Sequence, residues 1–141
     1  MTFQPLKIRH ATRSVVMTAM AILTTLSLSL SWAHHSHNAY EVTVWSELEG
    51  TVSDVLIMNP HSWMYLDVTD ENGEVTTWAI EAASPAQIYE NGVKPEDVQP
   101  GDRVKVRIHL LRDGTNGGLL GFVTPLHGDA DRGHGVEMHW D

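Results

Sequence analysis

Residues 102–111 have the sequence DRVKVRIHLL, in which apolar and polar side chains alternate. A period of two is typical of a β-strand that turns one face to a hydrophobic core and the other to solvent. The side chains predicted to face the core are Val104, Val106, Ile108 and Leu110. Those predicted to face solvent are Arg103, Lys105, Arg107 and His109. This strand is the clearest in the chain, and the neighbouring segments are interpreted from it.

Three strands are predicted before it, over residues 47–57, 62–69 and 74–81, and a fifth follows over residues 119–124. The alternation in the first strand changes phase near Ser53 and Asp54, which predicts a β-bulge there. Asn59-Pro60 ends that strand, because proline has no N–H to donate to a ladder. Asn72-Gly73 predicts a tight hairpin between the second and third strands.

A short helix is predicted between the third and fourth strands. Ser84 fits the N-cap, Pro85 the first helical position, and Gln87 the third position of a capping box. Asn91-Gly92 is typical of a left-handed C-terminal cap. Five strands with a helix between strands 3 and 4 predict an all-β fold, a small OB-like barrel over residues 47–126, in which closure hides the sheet edges. The alternative is an open antiparallel sheet with the helix packed on one face.

The first 33 residues have the pattern of a secretory signal peptide. Lys7, Arg9 and Arg13 precede an uncharged, largely apolar run over residues 14–30, and Ser31-Trp32-Ala33 places small residues at the positions that a signal peptidase inspects. Cleavage after Ala33 predicts a periplasmic or secreted protein that begins at His34. The alternative is an uncleaved signal anchor, since the run is close to the lower length of a membrane span.

Composition limits the function classes. The 141 residues hold nine Lys/Arg against 18 Asp/Glu, and three of those basic residues lie in the predicted leader. So acidic a chain repels nucleic acid and anionic membrane surfaces, and no span is expected after the leader. Cysteine is absent, so core packing must hold the domain together without disulfides. We expect a His-rich segment over residues 34–46 before the barrel and a flexible His/Asp/Gly-rich tail over residues 127–141.

The histidines near the predicted cleavage site indicate a metal site made of His34, His35, His37 and His61. A terminal histidine chelates a metal through its α-amine and its own Nδ1, and a second imidazole completes a T-shaped arrangement that suits copper. Zinc and nickel are the next choices, and affinity should fall in acid because the amine and the imidazoles must be deprotonated. Cleavage one residue earlier would place His in third position, another strong copper and nickel chelate. The alternative is a solvated N-terminal segment, with His61 structural.

Other candidate sites carry less chemistry. The tail holds three histidines and four carboxylates whose spacing is too irregular for a closed zinc site: His127, His134, His139, Asp129, Asp131, Glu137 and Asp141. The sequence has no nucleophile elbow, no phosphate-binding glycine loop and no His-Glu-x-x-His motif, so no catalytic residue is predicted and no organic cofactor is expected.

Several short motifs together resemble those of small exported bacterial proteins grouped as the uncharacterised family DUF6152. The resemblance covers roughly residues 34–124 and implies little about activity. The matching elements are His34-His35-Ser36, Glu49-Gly50-Thr51-Val52, Asn59-Pro60-His61-Ser62, Tyr65-Leu66-Asp67-Val68, Trp78, Ser84-Pro85 and Pro100-Gly101-Asp102. The His-containing tail departs from the family pattern, so the resemblance implies no role for it.

Two functions follow as hypotheses. The first is a periplasmic metal-binding module that sequesters or delivers copper at its processed N-terminus. The second is a metal-free interaction domain that binds a peptide or glycan of the cell envelope on Trp63, Tyr65 and Trp78. The partner is a metal ion in the first case and an envelope component in the second.

Overall fold

A computed structural model describes residues 37–141. Within them lie six strands, one α-helix and two short 3₁₀ helices. The strands are β1 (Ser46–Leu56), β2 (Ser62–Thr69), β3 (Val75–Ala82), β4 (Arg103–Leu110), β5 (Gly117–Pro125) and β6 (Met138–His139). The helix α1 (Pro85–Glu90) follows β3, and the 3₁₀ helices span His37–Ala39 and Ala130–Arg132. Among the described residues no helix is both long and apolar enough to cross a membrane.

The first five strands close into a barrel. Antiparallel pairing runs in the order β3-β2-β1-β4-β5, and a parallel pairing of β3 with β5 joins the two ends. Closure joins the two ends of the sheet, although β3 pairs with β5 only at Gly117–Leu119. The prediction of a closed five-stranded β-barrel with one short helix is confirmed, and the open sheet is excluded.

The long first strand bends at the predicted place. Its register against β2 shifts between Val52 and Asp54, which confirms the bulge. Val52 is buried, while Ser53 and Asp54 both face outward, so the extra residue changes the phase of the strand. One strand can therefore pair with β4 in its first half and with β2 along its second half.

Local signals in the sequence account for the turns. In the β2–β3 hairpin, the backbone N–H of Asp70 donates to the carbonyl of Glu74 at 2.9 Å, and Gly73 has a φ of 85° that favours glycine. At α1, the Ser84 hydroxyl accepts from the backbone N–H of Gln87, and Gly92 follows the helix with a φ of 87°. The barrel interior holds the alternating apolar side chains of the strands together with Ile88 of α1.

The C-terminal segment differs from the loosely held tail expected from its composition. β6 pairs with β5 through Phe122↔His139 and Val123↔Met138. Trp140 is 2 % exposed; its N–H donates to the carbonyl of Gly121 at 2.8 Å, and its carbonyl accepts from the N–H of Ala83 at 3.0 Å. β3 and β5 are paired only at residues Gly117–Leu119 of β5 and separate beyond that point. The C-terminal segment fills the gap between them, which we call the seam. The free energy gained by burying the apolar surface of Trp140 holds this segment on the barrel, although most of its residues are polar.

The segment before β1 also packs on the barrel, although its sequence carries little core pattern. Tyr40 is buried and forms an isolated antiparallel bridge with Leu111. The N–H of Glu41 donates to the carbonyl of Leu110 at 2.9 Å. The chain therefore enters the barrel along the end of β4, and Tyr40 fixes the point of entry.

Candidate functional site

His61 lies immediately before β2, after a cis Asn59–Pro60 peptide bond. The next residue, Ser62, donates its backbone N–H to the carbonyl of Ala83 at 3.0 Å, which fixes the start of β2 against the end of β3. Because the two strands are antiparallel, this arrangement brings His61 beside Glu81 of β3. The His61 Nδ1 atom pairs with the Glu81 Oε1 atom, and the histidine side chain is 46 % exposed.

The Glu81 carboxylate joins two parts of the chain. Its Oε2 atom accepts a hydrogen bond from the phenol of Tyr40, while its Oε1 atom faces His61. The Glu81 side chain is 12 % exposed, so both contacts are made in a largely dry position. Tyr40, Glu81 and His61 form a chain of polar contacts, here called the Tyr–Glu–His cluster, at one end of the barrel.

This geometry determines which nitrogen of His61 is available. An ionised carboxylate can only accept hydrogen bonds, so the Nδ1 atom beside it carries a proton. The neutral ring then has its lone pair on Nε2. A histidine held by a carboxylate through one nitrogen and open at the other is the arrangement in which proteins commonly present imidazole to a metal ion.

The cluster also changes the chemistry of Tyr40. Burial of the phenol, followed by its hydrogen bond to Glu81 and the charge of that carboxylate, raises the pKa of Tyr40 well above its usual value near 10. The folded state therefore holds the phenolic proton more tightly than the unfolded chain does. Tyr40 contributes stability that is fully present below about pH 10 and is lost as the pH rises toward the raised pKa.

Tyr40→Phe should make the protein less sensitive to alkaline pH. At neutral pH the variant should lose about 1 kcal/mol of unfolding free energy with the hydrogen bond. Between about pH 9 and 11, which brackets the usual tyrosine pKa, its stability should fall less than that of the parent protein. Urea unfolding at both pH values measures this difference. Tyr89→Phe, at an exposed tyrosine of α1, is the control and should follow the parent. An alkaline decline in Tyr40→Phe as steep as in the parent would contradict this account.

Of the four histidines predicted to bind metal, His61 is the one whose backbone and side chain are both described. His34 and His35 lie outside the described residues, and for residue 37 we describe only the backbone, which begins the 3₁₀ helix His37–Ala39. Across residues 37–141 no three His, Cys, Asp or Glu side chains are grouped as a metal site would require. The structure therefore shows the Tyr–Glu–His cluster near the point of chain entry, and the four-histidine site stays a prediction.

The histidines of the tail have structural partners. His127 Nδ1 accepts from the N–H of Asp129 at 3.1 Å, and its Nε2 lies 3.2 Å from the carbonyl oxygen of Asp97. His134 Nδ1 accepts from the N–H of Gly128 at 3.0 Å. His139 lies apart from them and stacks on Phe122 with ring centroids 5.0 Å apart. The His127 and His134 rings lie 6.2 Å apart, and among the described residues no third potential ligand joins them.

The three aromatic residues considered for a peptide or glycan platform do not share one face. Trp63 and Tyr65 are half-buried at alternate positions of β2 that point away from the core. Trp78 lies opposite Leu66 on the inner face of the sheet, where it packs against the hydrophobic core. Two aromatic side chains remain on the outer face, which is a smaller stacking surface than the sequence suggested.

The basic side chains on the outer face of β4 lie beside carboxylates. Arg103 pairs with Glu49. Lys105 Nζ lies 3.8 Å from the Glu47 Oε1 atom, and Arg107 Nη1 lies 3.1 Å from the Glu137 Oε1 atom. Each of these basic side chains therefore has a carboxylate beside it, which offsets part of the positive charge on this face.

His109 of the same strand was predicted to face solvent, and this prediction was wrong. It is 9 % exposed, because Trp45 stacks on its ring at a centroid distance of 3.7 Å. The His109 Nδ1 atom lies 2.8 Å from the carbonyl oxygen of Val44. The segment before β1 folds back across β4 and covers this side chain, an interaction that the alternation within β4 does not reveal.

Comparison with known proteins gives a family. A family model described as "Family of unknown function (DUF6152)" matches residues 22–121. No curated protein and no solved structure matches the chain. The match includes the Tyr–Glu–His cluster and ends within β5, before the tail that fills the seam.

Proposed function

We propose that this chain, which belongs to the DUF6152 family, is an exported OB-like barrel that holds a transition metal between its processed N-terminus and His61. Copper is the first choice of ion, and zinc or nickel comes next. His34 would chelate through its α-amine and ring, His35 or His37 would assist, and the His61 Nε2 atom would provide the imidazole from the barrel. The role would be sequestration or delivery of the ion in the periplasm.

The observation that carries this proposal is the double use of Glu81. One carboxylate oxygen pairs with His61 and the other binds Tyr40. The same side chain thus orients the barrel histidine and fixes the N-terminal segment only three residues after His37. A metal site that combines both parts of the chain needs this proximity.

The length of the N-terminal segment is sufficient for the proposed contact. An extended chain spans at most about 3.6 Å per residue, so the six residues from His34 to Tyr40 can cover at most about 20 Å. Tyr40 is fixed by three further bonds: its carbonyl accepts from Arg112 Nε at 2.9 Å, and the adjacent residues Ala39 and Glu41 bond to the backbone of Arg112 and Leu110. A short connection to a fixed point is what the proposed chelate with His61 requires.

The pairing of the strands supports the OB-like assignment. The closed order β1-β2-β3-β5-β4, with a parallel β3–β5 pair and a helix in the β3–β4 connection, is the arrangement expected of that fold. A rigid barrel is a suitable base for a metal site, because ligands on strand ends keep their geometry better than ligands on loops. The pattern of residues 1–33 supports export, with cleavage before His34.

Glu81→Gln should weaken copper binding by about 10–100-fold, because loss of a carboxylate that orients a ligating histidine commonly has an effect of this size. The measurement is a copper titration of the tag-free exported protein against a competing chelator, with thermal unfolding to show that the variant is folded. Asp67→Asn is the matched control, since Asp67 accepts a hydrogen bond from the Thr77 hydroxyl at 2.6 Å on another part of the barrel.

Mass spectrometry of the same protein tests the N-terminus. The proposal expects a chain that begins at His34, or at Ala33 if cleavage falls one residue earlier. A chain that begins after His37, or that keeps the leader, would overturn it. Equal copper affinity in Glu81→Gln and Asp67→Asn would remove His61 from the site.

A further inference from the structure

A pocket of about 360 Å³ lies between the end of β1, α1, the connector that follows α1 and the C-terminal segment. This volume falls within the range of small-molecule sites, roughly 300–1,000 Å³. Most of its lining is apolar, from Val55, Ile57, Ile88, Val93, Val98 and Trp140. The Tyr–Glu–His cluster does not contribute to this lining, so the pocket is a separate feature of the molecule.

Trp140 lines the pocket and fixes its wall. Its indole Nε1 is buried and has no hydrogen-bond partner among the described residues. The backbone bonds of Trp140 to Gly121 and Ala83 hold the residue in place on both sides. A side chain held in this way gives the pocket a rigid aromatic wall, which suits an apolar ligand.

Lys94 adds a positive charge to the same lining. Its side chain is exposed and forms no ion pair within the part of the chain that the structure describes, although its backbone N–H donates to Asp97 Oδ2 at 2.8 Å. A mainly apolar cavity with one ammonium group in its lining is complementary to a molecule with an apolar body and a carboxylate. A cationic amphiphile of the same size would meet the Lys94 charge unfavourably.

We infer that this pocket binds a small monocarboxylate with an apolar body, such as a medium-chain aliphatic acid. The apolar part fills the space between β1 and α1 beside the Trp140 ring, and the carboxylate pairs with Lys94. The inference does not depend on the metal site, because the two sets of residues have no member in common.

Octanoate is the probe for the test. The indole N–H resonances of the tag-free protein are followed by ¹H–¹⁵N NMR, and Trp140→Phe identifies the Trp140 signal among the five tryptophans of the chain. Octanoate should shift this signal in a saturable manner with one site per chain. Octylamine, which has the same alkyl chain and the opposite charge, should not. No saturable shift with octanoate, or an equal response to both compounds, would overturn the inference.

Lys94→Met tests the charge. Loss of one charge-assisted hydrogen bond should weaken octanoate binding by about tenfold. Lys105→Met is the matched control, since Lys105 faces Glu47 on the β1–β4 wall and should leave octanoate affinity unchanged. If Lys94→Met binds octanoate as tightly as Lys105→Met does, the carboxylate is not recognised by Lys94, and the proposed class of ligand is wrong.

Discussion

Copper should no longer bind to a specific site when His34→Ala and His61→Ala are combined. Loss of an outer-shell partner alone lowers metal affinity by about 10–100-fold, so the loss of one ligand from each end of the proposed site should lower it by on the order of a thousandfold. The expected titration shows one equivalent of tightly bound copper in the parent protein. In the double variant only weak binding of the kind made by any exposed imidazole should remain.

The matched control for this experiment is His127→Ala with His134→Ala. It removes two histidines as well, but from the tail, where both rings bond to backbone groups. Copper affinity should stay at the level of the parent. Equal affinity in the two double variants would show that histidine content, and not the pairing of the N-terminus with His61, accounts for binding. Thermal unfolding of both variants verifies that neither result comes from an unfolded chain.

Gly50→Ala should lower the free energy of unfolding by about 3 kcal/mol, which corresponds to a fall in Tm on the order of 12 °C for a domain of this size. A Cβ atom at Gly50 would lie 2.5 Å from the carbonyl oxygen of Asp67 and 3.0 Å from Leu66 Cγ. The Asp67 oxygen belongs to the backbone of β2, which pairs with β1 on both sides of the bulge. It can move away only if the ladder between the two strands is disturbed.

Thr51→Ala is the control for that substitution, because the next residue of β1 is exposed and has room around it. Surface changes of this kind usually alter stability by about 0.5 kcal/mol. Urea unfolding of both variants gives the comparison. If Gly50→Ala is as stable as Thr51→Ala, the close approach of β1 to β2 does not limit the residue at position 50.

The barrel could be predicted because each strand is marked by the alternation of apolar and polar side chains within its own few residues. β2 has the predicted bounds, and the bulge in β1 is where the phase of alternation changes. Such features depend on side chains within a few residues of each other. The sixth strand could not be predicted in the same way, since Met138–His139 has no period of its own and is extended only because β5 offers it a free edge.

Of the Tyr–Glu–His cluster, His61 was singled out from the sequence, and Tyr40 and Glu81 were missed. His61 was identified by its position after Asn59-Pro60, whereas Tyr40 and Glu81 are 41 residues apart and meet through the closed barrel. One signal was available: Tyr40 is an aromatic residue in a segment that has no strand or helix pattern, and such a residue often packs on a domain. The contact of Trp45 with His109 was missed for the same reason, because the chain before β1 crosses a strand that is distant in sequence.

The seam between β3 and β5 also sets an order for the maturation of the protein. Trp140 follows every strand of the barrel in the chain and bonds to both sides of the seam. During synthesis, the ribosome releases this residue only after all five barrel strands, so the seam stays unfilled until residue 140 has emerged. A chain cut before residue 140 should therefore keep its five paired strands and leave the gap between β3 and β5 open to water.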